Sequence, residues 1–194
     1  MAVTFDQGVL LGADSRTTSG VFIPSKVSDK IEPIHRRIFC LRSGNSAHTQ
    51  TISRYVRHYL NMQAVEDGGL PQVFTAAKLF ASICYSNKNF LEASIICAGW
   101  DDVQGGQIYE VPLGGSLMKQ PYAIGGSGSG YIYGFCDANW RENMSLADAK
   151  AFVSKALSLA INRDGSSGGV IRLTTVTPAE VTREWVPREQ HFRT

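Results

Sequence analysis

The sequence predicts an α+β fold in which two antiparallel sheets pack face to face and helices cover both outer faces. Three observations carry that expectation. Strands and helices come in blocks, without the regular strand-helix alternation that a doubly wound parallel sheet requires. Each helical segment has a single apolar stripe and so needs a sheet face to cover. At 194 residues and 43% apolar composition, the chain is long enough to bury a full core and reads as one domain spanning 1–194.

The elements follow in order. Ala2 to Phe5 and Val9 to Ala13 are short apolar runs joined by Asp6-Gln7-Gly8, a hairpin connection. Arg37 to Ser43 forms a third strand. From Ala47 the period becomes helical, with Ile52, Tyr55, Val56, Tyr59 and Leu60 on one stripe and Asn45 or Ser46 available as the cap. Glu66 to Leu70 links this helix to a second, which starts near Pro71 and turns Val73, Ala76, Ala77, Phe80 and Cys84 to one side. Strands return at Ala93 to Ala98, Gln107 to Val111 and Leu117 to Ile124, separated by turns at Asp101 to Gly106 and Gly114-Gly115. A third helix opens at Ser145, with Asp148 completing a capping-box variant. It buries Ala149, Phe152, Val153, Ala156, Leu157, Ala160 and Ile161. Val170 to Val176 and Val181 to Val186 close the chain as strands.

Composition excludes several functions. Nineteen basic against seventeen acidic residues leave a net charge of +2, which gives no reason to expect a nucleic-acid or lipid partner. No apolar stretch approaches the roughly 20 residues of a membrane span. The amino terminus lacks the basic and long apolar regions of a secretory signal. Cysteines 40, 84, 97 and 136 form no CxxC pair and have no histidine at ligand spacing, which argues against zinc. Cys40, Cys84 and Cys97 lie in apolar runs and read as reduced core thiols of a reducing compartment.

Familiar catalytic signatures also fail. The run Gly125-Gly126-Ser127-Gly128-Ser129-Gly130 fits neither GxGxxG, nor the P-loop, nor GxSxG. His35, His48, His58 and His191 lie in polar contexts and read as surface residues. Four segments remain: Gly12 to Arg16, Ser28 to Ile31, Arg42 to Gly44 and Asp164 to Gly169. Each has a plain structural reading, with Asp14 a turn residue, Lys30 solvated, Gly44 a left-handed turn, and Asp164 to Gly169 a helix stop.

Taken together and in order, these motifs resemble the β-type subunits of the proteasome core particle, within the N-terminal-nucleophile hydrolases. The matching stretches are Met1 to Val3, Leu11 to Thr18, Arg42 to Gly44, Ala98 to Asp101, Ile124 to Ser129 and Arg163 to Arg172. They are most similar to the caspase-like, beta type-1 branch. The resemblance implies a four-layer αββα sandwich and a threonine endopeptidase that cleaves unfolded polypeptides after acidic residues. It implies partners in the other α and β subunits of stacked seven-membered rings, no metal or organic cofactor, and residence in cytoplasm and nucleus.

The nucleophile implied is an amino-terminal threonine, three residues before Met1 and outside the 194-residue sequence, exposed by removal of a propeptide. Its hydroxyl is a weak nucleophile at neutral pH and would be activated by its own α-amine. Lys30 matches the catalytic lysine, whose cation would lower the hydroxyl pKa, and Asp14 would hold that lysine charged and oriented. Ser127, Asp164 and Ser167 match the hydrogen-bonding set around the terminal amine. The Gly44 N–H would stabilise the oxyanion, a donor worth about 3 kcal/mol.

Arg42 shares a strand face with Ile38 and Cys40, and would sit at the base of the pocket for the substrate residue before the cut. Thr17, Thr18, Ser19, Ser28 and Ser46 complete the implied substrate-binding set. Asn45 to Gln50 and Glu32 depart from the family pattern, and a glutamate facing the pocket would partly offset Arg42. A non-catalytic ring component and an unrelated α+β binding protein are the competing readings. The tail from Val186 to Thr194 reads as a contact with a neighbouring subunit or a loose end.

Overall fold

The computed structural model describes residues 1–191. In chain order it begins with β1 (Ala2–Phe5), β2 (Gly8–Ala13), β3 (Thr17–Ser19), β4 (Phe22–Ser25), β5 (Ile31–His35) and β6 (Ile38–Gly44). Two helices follow, α1 (Ser46–Asp67) and α2 (Val73–Ser86), and then β7 (Ala93–Asp101), β8 (Gly105–Val111), β9 (Met118–Lys119) and β10 (Tyr122–Ala123). The chain continues through a short 3-10 turn into α3 (Tyr133–Asn139), α4 (Leu146–Arg163), β11 (Ile171–Val176) and β12 (Val181–Val186).

Two five-stranded antiparallel sheets form, ordered β10-β1-β2-β11-β12 and β5-β6-β7-β8-β9, with β3-β4 as a separate hairpin. Side-chain alternation along the strands divides the interior into three cores. On β6, Ile38 and Cys40 face α1 and α2, while Phe39 and Leu41 face the opposite sheet. On β2, Leu10 faces α4, and Val9, Leu11 and Ala13 point between the sheets. The result is the αββα sandwich of the N-terminal-nucleophile hydrolases. Long strands with apolar residues on both faces are what a doubly covered sheet demands, and β2 is buried at all six positions.

Caps and turns set the boundaries. Asn45 caps α1 by accepting from the Ala47 and His48 amides, and Gly68 ends it in the left-handed region. Glu66 therefore belongs to the helix, not to the linker. Ser145 caps α4 and accepts from the Asp148 amide at 3.1 Å. α2 begins after Pro71, with Gln72 at its cap.

Five sequence expectations need correction. The single strand expected at 37–43 is the second arm of a hairpin whose first arm is β5, and the β3-β4 hairpin was not anticipated, since its residues are half-buried or exposed and show no apolar alternation. The strand expected from Leu117 to Ile124 is two strands in different sheets. Pro121 has no amide to donate, so the chain crosses there: the Gln120 amide bonds Ile108 in one sheet, and the Pro121 carbonyl accepts from Thr4 in the other. A short helix, α3, precedes α4 and buries only Cys136, too little periodicity to read from sequence. Ile161 lies at the flank of the α4 stripe and is only partly buried.

His191 is not a surface residue. It is 2% exposed, with Nε2 3.3 Å from the Val186 carbonyl. Of the tail, Phe192 to Thr194 lie outside the described residues. All four cysteines are buried free thiols. Burial pushes Cys40 up to about 12 and Cys136 up to about 11, which makes them unreactive core residues. Among the described residues no helix is long and apolar enough to cross a membrane.

Candidate active site

Strand ends from both sheets open onto one cleft of about 800 Å³. Met1, Ala13 and Asp14 bring the first sheet to it, Leu41 to Gly44 the second, and the loops at 125–129 and 166–167 close the side nearest α4. The register explains the convergence. Ala13 pairs with Arg172 at the start of β11, Ile31 pairs with Leu41, and Gly44 pairs with Ala93 at the start of β7, so these strand ends lie at the same edge.

Asp14 leaves the end of β2 with a carboxylate only 13% exposed. Its Oδ1 receives Lys30 Nζ at 2.5 Å, and its Oδ2 accepts from the Gly168 amide at 2.9 Å and the Arg16 amide at 3.2 Å. Those three donors compensate its desolvation and orient it toward Lys30. Lys30 stands just before β5, where its own carbonyl accepts from the Arg42 amide, so its backbone is tied to the strand that carries Arg42. A half-buried ammonium in the cleft, fixed by one carboxylate, can lower the pKa of a hydroxyl placed beside it.

Asp164 ends α4 and collects a second group. Its Oδ2 accepts from Ser127 Oγ at 2.7 Å and Ser167 Oγ at 2.6 Å, and its Oδ1 accepts from the Ser166 amide at 3.1 Å. Burial alone would raise this carboxyl. The two serine hydroxyls, the Ser166 amide and the charge of Lys30 outweigh burial and hold it below the ordinary carboxylate value. Asp164 therefore stays ionised behind the cleft wall, while Ser127 and Ser167 line the cleft.

Gly44 occupies the junction from β6 to α1 with φ 97. A Cβ there would stand 2.5 Å from the Glu92 carbonyl oxygen, so only glycine fits without displacing the neighbouring backbone. Arg42 lines the same cleft two residues earlier. Its side chain leaves the sheet on the α1 side, as its alternation with Ile38 and Cys40 requires, and it is 14% exposed. Thr17, Thr18, Ser28 and Ser46 also line the cleft, and Thr17 and Ser28 share a hydroxyl contact of 2.6 Å. Ser19 is not among the lining residues. It pairs with Phe22 at the exposed tip of the β3-β4 hairpin, too far along that hairpin to face the cleft.

A family model described as "Proteasome subunit" matches residues 1–176. The chain belongs to the proteasome subunit family. It is 56% identical over 187 residues to proteasome subunit beta type-6 of Dictyostelium discoideum, covering 96% of this chain and 87% of that protein. Proteasome subunit beta type-1 of Saccharomyces cerevisiae is 52% identical over 183 residues, covering 94% and 85%. Probable proteasome subunit beta type-1 of Schizosaccharomyces pombe is 50% identical over 184 residues, covering 95% and 81%. Membership implies assembly with other proteasome subunits.

Sequence reasoning missed several residues that shape this proteasome subunit's cleft. Ser15 is fully buried and ties three segments together, donating to the Lys26 carbonyl at 2.5 Å and accepting from the Val170 amide at 2.9 Å. Arg16 donates to the Gly165 carbonyl at 2.7 Å and pins the loop that presents Ser166 and Ser167. Both sit inside the Gly12 to Arg16 stretch that the sequence singles out, where neither was given a role because their partners lie far along the chain. Arg57 gave none: it lies midway along α1 and reaches Glu32 across 25 residues of chain.

Proposed function

We propose that this chain is a threonine-type endopeptidase subunit of the proteasome core particle, a single domain that cleaves unfolded polypeptides preferentially after acidic residues. It would act within stacked seven-membered rings in cytoplasm and nucleus, without a cofactor. The observation that carries the reading is the meeting of the Asp14-Lys30 pair and the Asp164 serine cluster at one cleft beside Met1.

The β1-β2 ladder gives this a geometric basis. Met1 N donates to the Gly12 carbonyl at 2.8 Å, and the Gly12 amide returns a bond to the Met1 carbonyl at 2.8 Å. Since Ala2 pairs with Leu11 and Val3 with Leu10, residues joined ahead of Met1 in the same register would run past Ala13, Asp14 and Ser15. A threonine three residues upstream would travel about 10 Å and arrive opposite Ser15, next to Asp14 and its lysine.

In the mechanism, the threonine α-amine takes the hydroxyl proton as the oxygen attacks the substrate carbonyl. Lys30 stabilises the developing alkoxide, and Asp14 keeps the ammonium aimed. The ionised Asp164, with Ser127 and Ser167, orients the amine and balances its charge after it accepts the proton. The Gly44 N–H receives the oxyanion of the tetrahedral intermediate. Returning the amine's proton to the leaving nitrogen releases one product, and water then hydrolyses the acyl ester. Arg42 supplies the cation that selects an acidic side chain before the cut.

Lys30→Ala tests the reading. In purified particles it should abolish peptide cleavage by this subunit and leave the propeptide attached, because both steps use the same hydroxyl. Intact mass of the variant subunit reports the second step, and an active, fully processed variant would refute the assignment.

A further inference from the structure

Glu32 lies on β5 opposite Cys40 of β6, so both face α1, the same side on which Arg42 leaves its strand. Its carboxylate stands between two guanidinium groups. Oε2 is 2.9 Å from Arg42 Nε, and Oε1 accepts from Arg57 Nη2 at 2.8 Å. Arg57 Nη2 also donates to the Pro33 carbonyl at 2.6 Å, which anchors that arginine to the β5 backbone.

The two contacts are not equivalent. The Arg57 bond is directional. The Arg42 contact is close in distance, yet neither Arg42 Nε nor Glu32 Oε2 is aligned as a hydrogen bond, so it is a Coulombic contact alone. Arg42 lines the cleft, whereas Glu32 and Arg57 stand behind it. With side-chain exposures of 14%, 18% and 39% along the series Arg42, Glu32, Arg57, the inner pair is little screened by water.

We propose that Glu32 and Arg57 form an opposed pair that sets how strongly Arg42 attracts an acidic substrate side chain. The proposal rests on the reading of Arg42 as the selective cation of the cleft. Glu32 weakens the field of Arg42, and Arg57 restores part of it by holding Glu32 through the better bond. An arriving carboxylate competes with Glu32 for Arg42, and Arg57 gives the displaced glutamate a partner. When a neutral side chain enters, Arg42 is still matched by Glu32 and is not left as an unpaired buried charge. The chain therefore accepts neutral residues more readily than a lone arginine would allow, at the expense of affinity for acidic ones. Glu32 and Arg57 are positioning residues, acting through Arg42.

The test uses assembled particles with any other peptidase subunits silenced, and reads the ratio of kcat/KM for an acidic to a neutral peptide substrate. That ratio does not depend on the fraction of particles assembled. Glu32→Gln should raise it about tenfold, through KM more than kcat, since the charge acts on bound substrate and transition state alike. Arg57→Gln should lower it about threefold, and Arg57→Lys should restore part of the loss. Because Arg57 works through Glu32, Arg57→Gln should have little effect when Glu32→Gln is already present.

An unchanged ratio in Glu32→Gln, or an equal effect of Arg57→Gln in both backgrounds, would overturn the proposal. If Glu32→Gln does not assemble, Arg57→Gln against Arg57→Lys decides, and equal ratios in the two would overturn it. Wild-type particles that do not cleave after acidic residues, or do so equally well with Arg42→Gln, would instead overturn the reading beneath it.

Discussion

In a polypeptide that begins at Met1, the α-amine is buried, with the Gly12 carbonyl as its acceptor at 2.8 Å. Burial pulls its pKa from 8.0 to about 5, the Asp14 carboxylate opposes the shift, and Lys30 adds to it. The unfolded chain keeps the ordinary value. Between pH 5 and 8 the unfolded state therefore binds a proton that the folded state refuses, and stability must rise with pH across that window. Three pH units correspond to on the order of 4 kcal/mol, fully lost below the folded value and fully recovered above the unfolded one. Acetylating the amine, or joining residues ahead of it, converts it to an amide that does not titrate. Urea unfolding of the free and Nα-acetylated chains, run in parallel from pH 5 to 8, isolates this group because every other titration is common to both. The free chain should lose most of that 4 kcal/mol relative to the acetylated one as pH falls. Parallel stability curves would show that the amine is hydrated in the folded state and would refute the reasoning.

Two further substitutions probe the frame of the fold, one at the cleft and one at the far end of β7. Gly44→Ala places a Cβ 2.5 Å from the Glu92 carbonyl at φ 97, and should lower stability by about 2 kcal/mol or more, read as a drop in Tm, and reduce cleavage with it. Asp101 is buried at 5% exposure and accepts from the amides of Val73 (2.9 Å), Val103 (3.0 Å) and Gln104 (2.8 Å) and from Gln107 Nε2 (2.7 Å). Burial would raise its carboxyl, but these four donors prevail and hold it below the ordinary value. Asp101→Ala should cost about 3 kcal/mol at neutral pH. Because the folded value is depressed, the difference from wild type should shrink as pH falls through it, and a constant difference in acid would refute the assignment.

Much of the frame was legible because its signals are local. The stripe Val73, Ala76, Ala77, Phe80 and Cys84 is buried as its spacing requires, and Asn45 and Ser145 cap the helices they precede. Signals failed where local pattern was weak or ambiguous. The β3-β4 hairpin has no buried face, α3 buries one residue, and Leu117 to Ile124 reads as a single strand until Pro121 divides it between sheets. Asp14, Lys30, Arg42, Gly44, Ser127 and Ser167 line the cleft with Asp164 behind its wall, whereas Ser19, which the resemblance set beside the pocket, lies outside it.

Periodicity, caps and motif order are properties of neighbouring residues, so they told which faces are apolar, where helices begin and which family the chain resembles. Contacts between distant segments have no such signature. The Gly168 amide meets Asp14 across 154 residues, Ser127 meets Asp164 across 37, and Arg57 meets Glu32 across 25. Each depends on strand register and on how two sheets and four helices stack, which fix distances that no window of sequence contains. For that reason the charge on Arg42 and a glutamate able to offset it could be named from the chain, while the hold of Arg57 on Glu32 emerged only when the layers were assembled.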